Sequence, residues 1–353
     1  MLVKKRYSAK EMLKWTKTDI IVFAVQTAII TGLYSILGFT FLHIPWTPIA
    51  LIGTALAFMI GFQNNAAYDR IWEARKIWGA ITNSSRTWGM KIHDMITNEY
   101  AKTPATEEEL DAFKMSFVHR HIAWLTALRH AMRQPRSWEH AMEHKENKKF
   151  SEILHIPEQI TSMEDDLMPY LSREEMEFVL TKNNKASAIL NLQSGHLKEL
   201  KEKGLIWEFS FLELENLIQD LFVHQGKSER IKNFPYPRQY ATLSHNFVWI
   251  FIILFPFGII PEFAHIGETL KSDFPLLAPY FIWLAVPFCT VVSWVFHTMK
   301  RIGVVGENPF EGTSNDVPIS TIARGIEIDL RQMLGEDDAT IPGQFPQEYA
   351  VQM

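Results

Sequence analysis

Residues 20–68 read IIVFAVQTAIITGLYSILGFTFLHIPWTPIALIGTALAFMIGFQNNAAY, 49 residues without one Asp, Glu, Lys or Arg. A helix needs roughly 20 apolar residues to cross the hydrocarbon core of a bilayer. The run is therefore too long for one span and long enough for two. Its break is written at His43-Ile44-Pro45-Trp46-Thr47-Pro48, where two prolines interrupt helical hydrogen bonding. The spans are expected over 20–42 and 48–68.

Two more charge-free runs follow, 239–261 with 23 residues, where Pro256 is an expected kink, and 274–299 with 26, with Pro287 inside. A buried core helix would explain any one of them. Four of spanning length describe an integral membrane protein, in a chain of 353 residues with 35 basic and 40 acidic side chains. The net charge of -5 gives no electrostatic case for nucleic acid. The single cysteine, Cys289, lies inside the last apolar run, which excludes disulfide scaffolds and cysteine zinc sites. Lys4, Lys5, Arg6, Lys10, Lys14 and Lys17 precede the first span with no small-residue cleavage site after it, so that span reads as a retained anchor.

Basic residues mark the cytoplasmic side of a membrane protein. The six at the N-terminus and Lys300-Arg301 after the last span agree, while 262–273 holds Glu262, Glu268 and Asp273 against Lys271 and faces outward. Both termini are then expected in the cytoplasm, with the protein in the plasma membrane (a bacterial inner membrane). The expected organisation is a cytoplasmic segment 1–19, two spans in 20–68, a cytoplasmic helical region 69–238, two spans in 239–299, a cytoplasmic loop and helix 300–334, and a disordered tail 335–353. The fold class is all-α. Helical spacing recurs in the middle region, as in Phe113, Phe117, Ile122, Leu125 and Leu128, and again around 209–222.

Candidate chemistry is sparse. His119 and His121 fall on different helix faces and suit packing. His140 and His144, with Glu139 and Glu143 nearby, share a face and are the one candidate metal pair, the basis of a rival reading as a metal-dependent membrane enzyme. The zinc-protease order is absent, since Ala141 follows His140. No nucleophile elbow, phosphate loop or dinucleotide fingerprint occurs, so no catalytic residue and no cofactor is expected.

The second span carries more information. Thr54, Phe58 and Phe62 repeat every four residues, and the same face continues to Asn65 and Asp69. Ordinary helix packing accounts for such a stripe. The sharper reading is a pore wall in a symmetric oligomer, where rings of phenylalanine form a dry neck and their positive edges tolerate an anion. Asp69/Glu73, Arg70/Glu73 and Lys76 stand at helical pairing distances just below it. The loop Gly306–Pro318 has many oxygen-bearing side chains and reads as a structural turn or a cation site; Ser320 is expected to cap the helix after it.

Two long motifs together resemble the bestrophin family in its bacterial branch. They are Ile60-Gly61-Phe62-Gln63-Asn64-Asn65-Ala66-Ala67-Tyr68-Asp69-Arg70-Ile71-Trp72-Glu73-Ala74-Arg75, and Glu307-Asn308-Pro309-Phe310 through Asn315-Asp316-Val317-Pro318. Asn233-Phe234-Pro235-Tyr236-Pro237 and Leu254-Phe255-Pro256-Phe257-Gly258 support it, and the likeness covers roughly Lys4 to Leu334. The resemblance implies a homopentameric ion channel with a central pore lined by the second membrane helix. Thr54, Phe58 and Phe62 become neck residues and Asn65 and Asp69 the cytoplasmic pore mouth. A second constriction is implied within Ala186–Leu190, with Ser187, Ile189 and Leu190 as candidates. Of the calcium clasp of animal relatives only Asp316 keeps its place, so no metal site is expected. The expected function is passive conduction of chloride or other small anions through the bilayer. A cation-selective channel is the alternative, because Asp69, Glu208, Glu213, Glu215 and Asp220 would concentrate cations.

Overall fold

Helix α1 (Ala9–Ser35) starts where Ser8 and Glu11 form a reciprocal capping box, satisfying two otherwise orphaned backbone donors. It is the first of eight longer helices in a computed structural model that describes residues 1–139 and 154–353. The others are α2 (Trp46–Met95), α3 (Glu107–Arg133), α4 (Lys185–Lys203), α5 (Glu208–Asn233), α6 (Arg238–Thr269), α7 (Ala285–Val305) and α8 (Ile319–Met333). Short helical pieces lie at Pro157–Ile160, Met163–Leu167 and Arg173–Leu180, and a 3-10 helix at Ala278–Leu284. No strand occurs among the described residues. The chain is all-α.

Among the described residues, four helical stretches are long and apolar enough to cross a bilayer: Ala9–Ser35, Trp46–Met95, Glu208–Thr269 and Ala278–Val305. Their limits differ from the charge-free runs for reasons of backbone chemistry. Pro48 sits in the first turn of α2, where no intrahelical N–H is needed, so the helix begins before it at Trp46. No breaker follows Tyr68, and α2 runs on for 50 residues, about 75 Å. Helix α6 passes through both Pro256 and Pro261 to reach Thr269. The last apolar run is divided instead, with a 3-10 piece first and Pro287 in the opening turn of α7.

The described chain forms two units, residues 4–69 with 236–307, and residues 1–3, 70–235 and 308–353. Helix α2 contributes to both. In the membrane unit, Phe23, Ile49, Leu56, Ile60, Phe251, Ile252, Ile260 and Cys289 form the core. Several polar groups inside it bond to the backbone or to one another, as apolar surroundings favour. The hydroxyls of Thr27 and Thr31 donate to the carbonyls four residues back. Trp294 Nε1 donates to Thr16 Oγ1 at 2.9 Å, and Arg301 pairs with Asp19 at 2.5 Å while lying over the Trp15 ring.

The other unit is built around α3, whose residues from Phe117 to Arg133 are almost all buried. Trp78, Trp88, Trp124, Phe117 and Phe310 are its largest fully buried side chains among the described residues. His121 is fully buried near Trp88 and Trp124 and 2.9 Å from Ser85 Oγ; burial pushes its imidazole down to about 3. His119 meets Glu336 at 2.9 Å. Both histidines are packing residues. His140, His144, Ala141 and Glu143 lie outside the described residues.

The tail 335–353 makes contacts within its unit: Phe345 covers the guanidinium groups of Arg324 and Arg129 at 4.6 and 5.7 Å, Val351 bridges Leu2, and Val351 and Met353 are buried with Leu154 and Ile156. Its turn-forming residues bend the chain back, and the apolar side chains at its end supply the docking that local composition hides. Ser320 is not a cap, because Pro318 holds that position and Ser320 Oγ donates to buried Glu158 at 2.7 Å.

Candidate functional site

Helix α2 turns one stripe outward. Thr54, Phe58, Phe62, Asn65 and Asp69 fall within an arc of about 80° at 100° per residue, and every one is exposed in the single chain. Phe58 and Phe62 are 67% and 73% exposed, whereas Ile49, Leu56, Ile60 and Ala67 on the reverse face are at most 3% exposed. Thr54 Oγ1 donates to Ala50 O at 2.9 Å, so its proton is spent inside the helix and a methyl and a lone pair point outward.

The reverse face is fixed by polar contacts that spacing did not reveal. Gln63, 3% exposed, donates from Nε2 to Oε1 of fully buried Glu307 at 3.0 Å. Asn64 donates from Nδ2 to Met299 O at 3.2 Å. Gly303 makes room for this, since a Cβ there would stand 2.2 Å from Asn64 Oδ1. In Phe62-Gln63-Asn64-Asn65, the first and last residues therefore point out and the middle two lock α2 to the end of α7. A signal was present: a polar triple inside an apolar span is costly unless it has partners or a task.

Below Asp69, α2 pairs with a second helix. Arg70 Nη2 donates to the carbonyls of Ile231 and Phe234, at 3.0 and 2.9 Å. Those carbonyls belong to the end of α5, the negative end of its dipole, and a guanidinium suits that place better than an exposed carboxylate one turn away. Glu73 pairs with Arg230.

The loop after α7 is a hydrogen-bonded turn. Asp316, 2% exposed, accepts at Oδ2 from the backbone N–H groups of Gly312 and Thr313, and at Oδ1 from the Thr313 hydroxyl. Gly312 has φ +97°, a conformation that only glycine adopts without strain. Burial pushes the Asp316 carboxyl up, against the pull of Arg133 Nη1 at 3.8 Å and of the Thr313 and Gly312 donors. The carboxylate is thus occupied by its own loop. Among the described residues no group of three or more His, Cys, Asp or Glu side chains is placed to hold a metal ion.

The candidates for a second constriction do not fit. Ile189 and Leu190 are fully buried in the core of their own unit, on the inward face of α4. Ser187 Oγ accepts from Gln225 Nε2 at 2.8 Å, and its backbone N–H donates to the Asn184 cap. Apolar residues at helical spacing served the core here. Of the acidic side chains expected to draw cations, Glu213 meets Lys91 at 2.7 Å, which holds its carboxyl below the usual range, and Glu208 meets Lys201 at 3.2 Å.

Comparison with known proteins agrees with this architecture. The chain is 26% identical over 325 residues to the voltage-dependent anion channel-forming protein YneE of Escherichia coli K12, covering 92% of this chain and 86% of that protein. It is 28% identical over 320 residues to the Salmonella typhi protein of the same name, covering 90% and 85%. A crystal structure of a bacterial bestrophin homolog from Klebsiella pneumoniae superposes with a TM-score of 0.66 at 22% identity, over 91% of this chain and 99% of that one, a likeness of fold. The family profile described as Bacterial/Fungal Bestrophin protein matches residues 9–271 and 274–332. With nearly the whole chain matched and its two motifs paired behind an exposed phenylalanine stripe, this membrane protein belongs to the bacterial and fungal bestrophin family.

Proposed function

We propose that copies of this chain, five by family resemblance, assemble around an axis and conduct small anions, chloride among them, passively across the plasma membrane. Thr54, Phe58 and Phe62 form the neck, and Asn65 and Asp69 its cytoplasmic mouth. Both termini lie in the cytoplasm. The observation that carries this reading is the contrast across α2, with two phenylalanines mostly exposed on a stripe that also bears Thr, Asn and Asp. A purely lipid-facing stripe has no use for Asn65 and Asp69, which become intelligible at the wet end of a pore. The relatives named as anion channel-forming proteins support the choice of cargo.

Asp69 favours the second reading, a cation-selective channel. The pairing of Glu208 and Glu213 with lysines weakens that alternative by removing acidic charge from the set that would attract cations. The enzyme reading has no support from the family, and its histidine pair lies outside the described residues.

The test is flux and reversal potential from purified protein in planar bilayers under a chloride gradient. An anion channel reverses near the chloride equilibrium potential. Phe58→Ala with Phe62→Ala widens the neck and raises basal flux; unchanged flux from an otherwise assembled variant would refute the neck assignment.

A further inference from the structure

The first turns of α1 carry a basic face that makes no ion pair among the described residues. Lys10, Lys14 and Lys17 are exposed and lie within about 60° of one another around the helix. The acid of the first turn, Glu11, points elsewhere and is taken by Lys4 at 2.9 Å. Asp19 lies on the opposite face, where it pairs with Arg301. Among the described residues no carboxylate therefore answers these three lysines on their own face.

The same face changes character without changing direction. Ile21 and Val25 continue the line of the lysines toward the membrane interior, and they are 50% and 52% exposed. From Lys17 to Val25 the helix rises about 12 Å. A stripe of ammonium groups thus passes straight into a stripe of branched apolar side chains. The opposite side of α1, with Thr16, Phe23, Thr27 and Ile30, is buried in the membrane unit.

We propose that this face of α1 docks an anionic phospholipid, its phosphate held by Lys10, Lys14 and Lys17 and an acyl chain laid along Ile21 and Val25. The inference rests on the reading above that the N-terminus lies at the cytoplasmic leaflet, where anionic lipids attract basic segments beside a membrane helix. Charge selects the headgroup: a zwitterionic lipid offers the same tail but brings its own cation. The apolar stripe selects a lipid over free phosphate, which fits the lysines and gains nothing from Ile21 and Val25. Bound there, the lipid braces α1 where Trp294 and Arg301 of α7 grip it from behind.

The experiment uses the full-length protein purified in detergent, with native mass spectrometry and thermal unfolding as readouts. Short-chain phosphatidylglycerol, short-chain phosphatidylcholine and glycerol phosphate are titrated separately. Phosphatidylglycerol is expected to be retained and to raise the melting temperature; the other two are not. K10Q/K14Q/K17Q is expected to bind phosphatidylglycerol about 100-fold more weakly, at roughly one ammonium's worth of attraction per lysine. K102Q/K198Q/K227Q removes the same charge from exposed sites in the other unit and is expected to bind as wild type.

Equal weakening in both triple variants would reduce the effect to net charge and overturn the proposal. Equal binding of phosphatidylcholine would overturn it too, as would binding of glycerol phosphate as tight as that of the lipid. Should K10Q/K14Q/K17Q fall apart into single chains, the face is an interface between copies and the lipid site is refuted. Flux from wild-type liposomes is scored separately, so a conducting protein indifferent to phosphatidylglycerol sinks this inference and leaves the channel reading standing.

Discussion

Gln63 Nε2 donates to Glu307 Oε1 at 3.0 Å, and both side chains are buried inside the membrane unit. The bond ties the helix bearing Phe62 to the second residue after α7. A hydrogen bond to a carboxylate contributes about 2 kcal/mol, and leaving a buried carboxylate short of a donor costs more than the bond itself. Gln63→Leu keeps the volume and removes the donor. It is expected to lower the melting temperature of the purified protein by several degrees and to broaden single-channel conductance, because Phe62 is the next residue along. Gln63→Asn, whose amide falls one methylene short, should behave like Leu rather than like wild type. A melting curve unchanged in both variants would show that the bond holds nothing.

Gly303 is the second element of that contact. A methyl there would stand 2.2 Å from Asn64 Oδ1 and 3.6 Å from Gln63 Cγ. The amide of Asn64 is held by Met299 O, so it cannot swing away without giving up its bond. Gly303→Ala is expected to cost about 1–3 kcal/mol, the usual range for overpacking. Asn64→Ala in the same chain should restore part of the loss by removing the clashing atom. Melting temperatures of the two single variants and the double variant form a cycle that isolates the contact.

Thr54 offers a test of neck wetness. Its hydroxyl proton already bonds Ala50 O, so Thr54→Val removes little from helix stability while replacing an outward lone pair with a methyl. A drier outer neck raises the barrier to a hydrated ion. Bilayer recordings are expected to show lower conductance for Thr54→Val with unchanged assembly. Conductance equal to wild type would mean that the narrow part of the path lies elsewhere.

The spans were legible because charge is excluded from hydrocarbon over lengths that nothing else requires, so residues 20–68 already announced two helices. Their ends were less so. Proline has opposite consequences at different positions: Pro287 lies in an opening turn, while α6 runs through Pro256 and Pro261. The outward stripe was visible because Thr54, Phe58 and Phe62 obey helical spacing. Its anchoring was not, because Gln63 and Glu307 stand 244 residues apart and each alone is an ordinary polar residue. Ile189 and Leu190 show the converse failure. An apolar residue at helical spacing suits a constriction and a core equally well, and only their complete burial decides for the core.

His121 gives stability a pH dependence of predictable sign. Its ring is fully buried, bonded to Ser85, and held by burial near a value of about 3, against about 6.5 in the unfolded chain. As pH falls through 6.5 the unfolded chain takes up this proton and the folded one does not, so folding loses stability over that window. The slope approaches about 1.4 kcal/mol per pH unit once the unfolded imidazole is charged. Between pH 7.5 and 5.5 the melting temperature of wild type should therefore drop, with most of the fall below 6.5. His121→Gln keeps a hydrogen-bonding group facing Ser85 and cannot titrate. It is expected to start lower at pH 7.5, having lost the ring contacts with Trp88 and Trp124, and then to change less on acidification. Tryptophan fluorescence reads the transition directly, since both indoles lie within 6 Å of the ring by centroid distance. Parallel pH profiles for the two proteins would mean that the imidazole reaches its proton in the folded state after all.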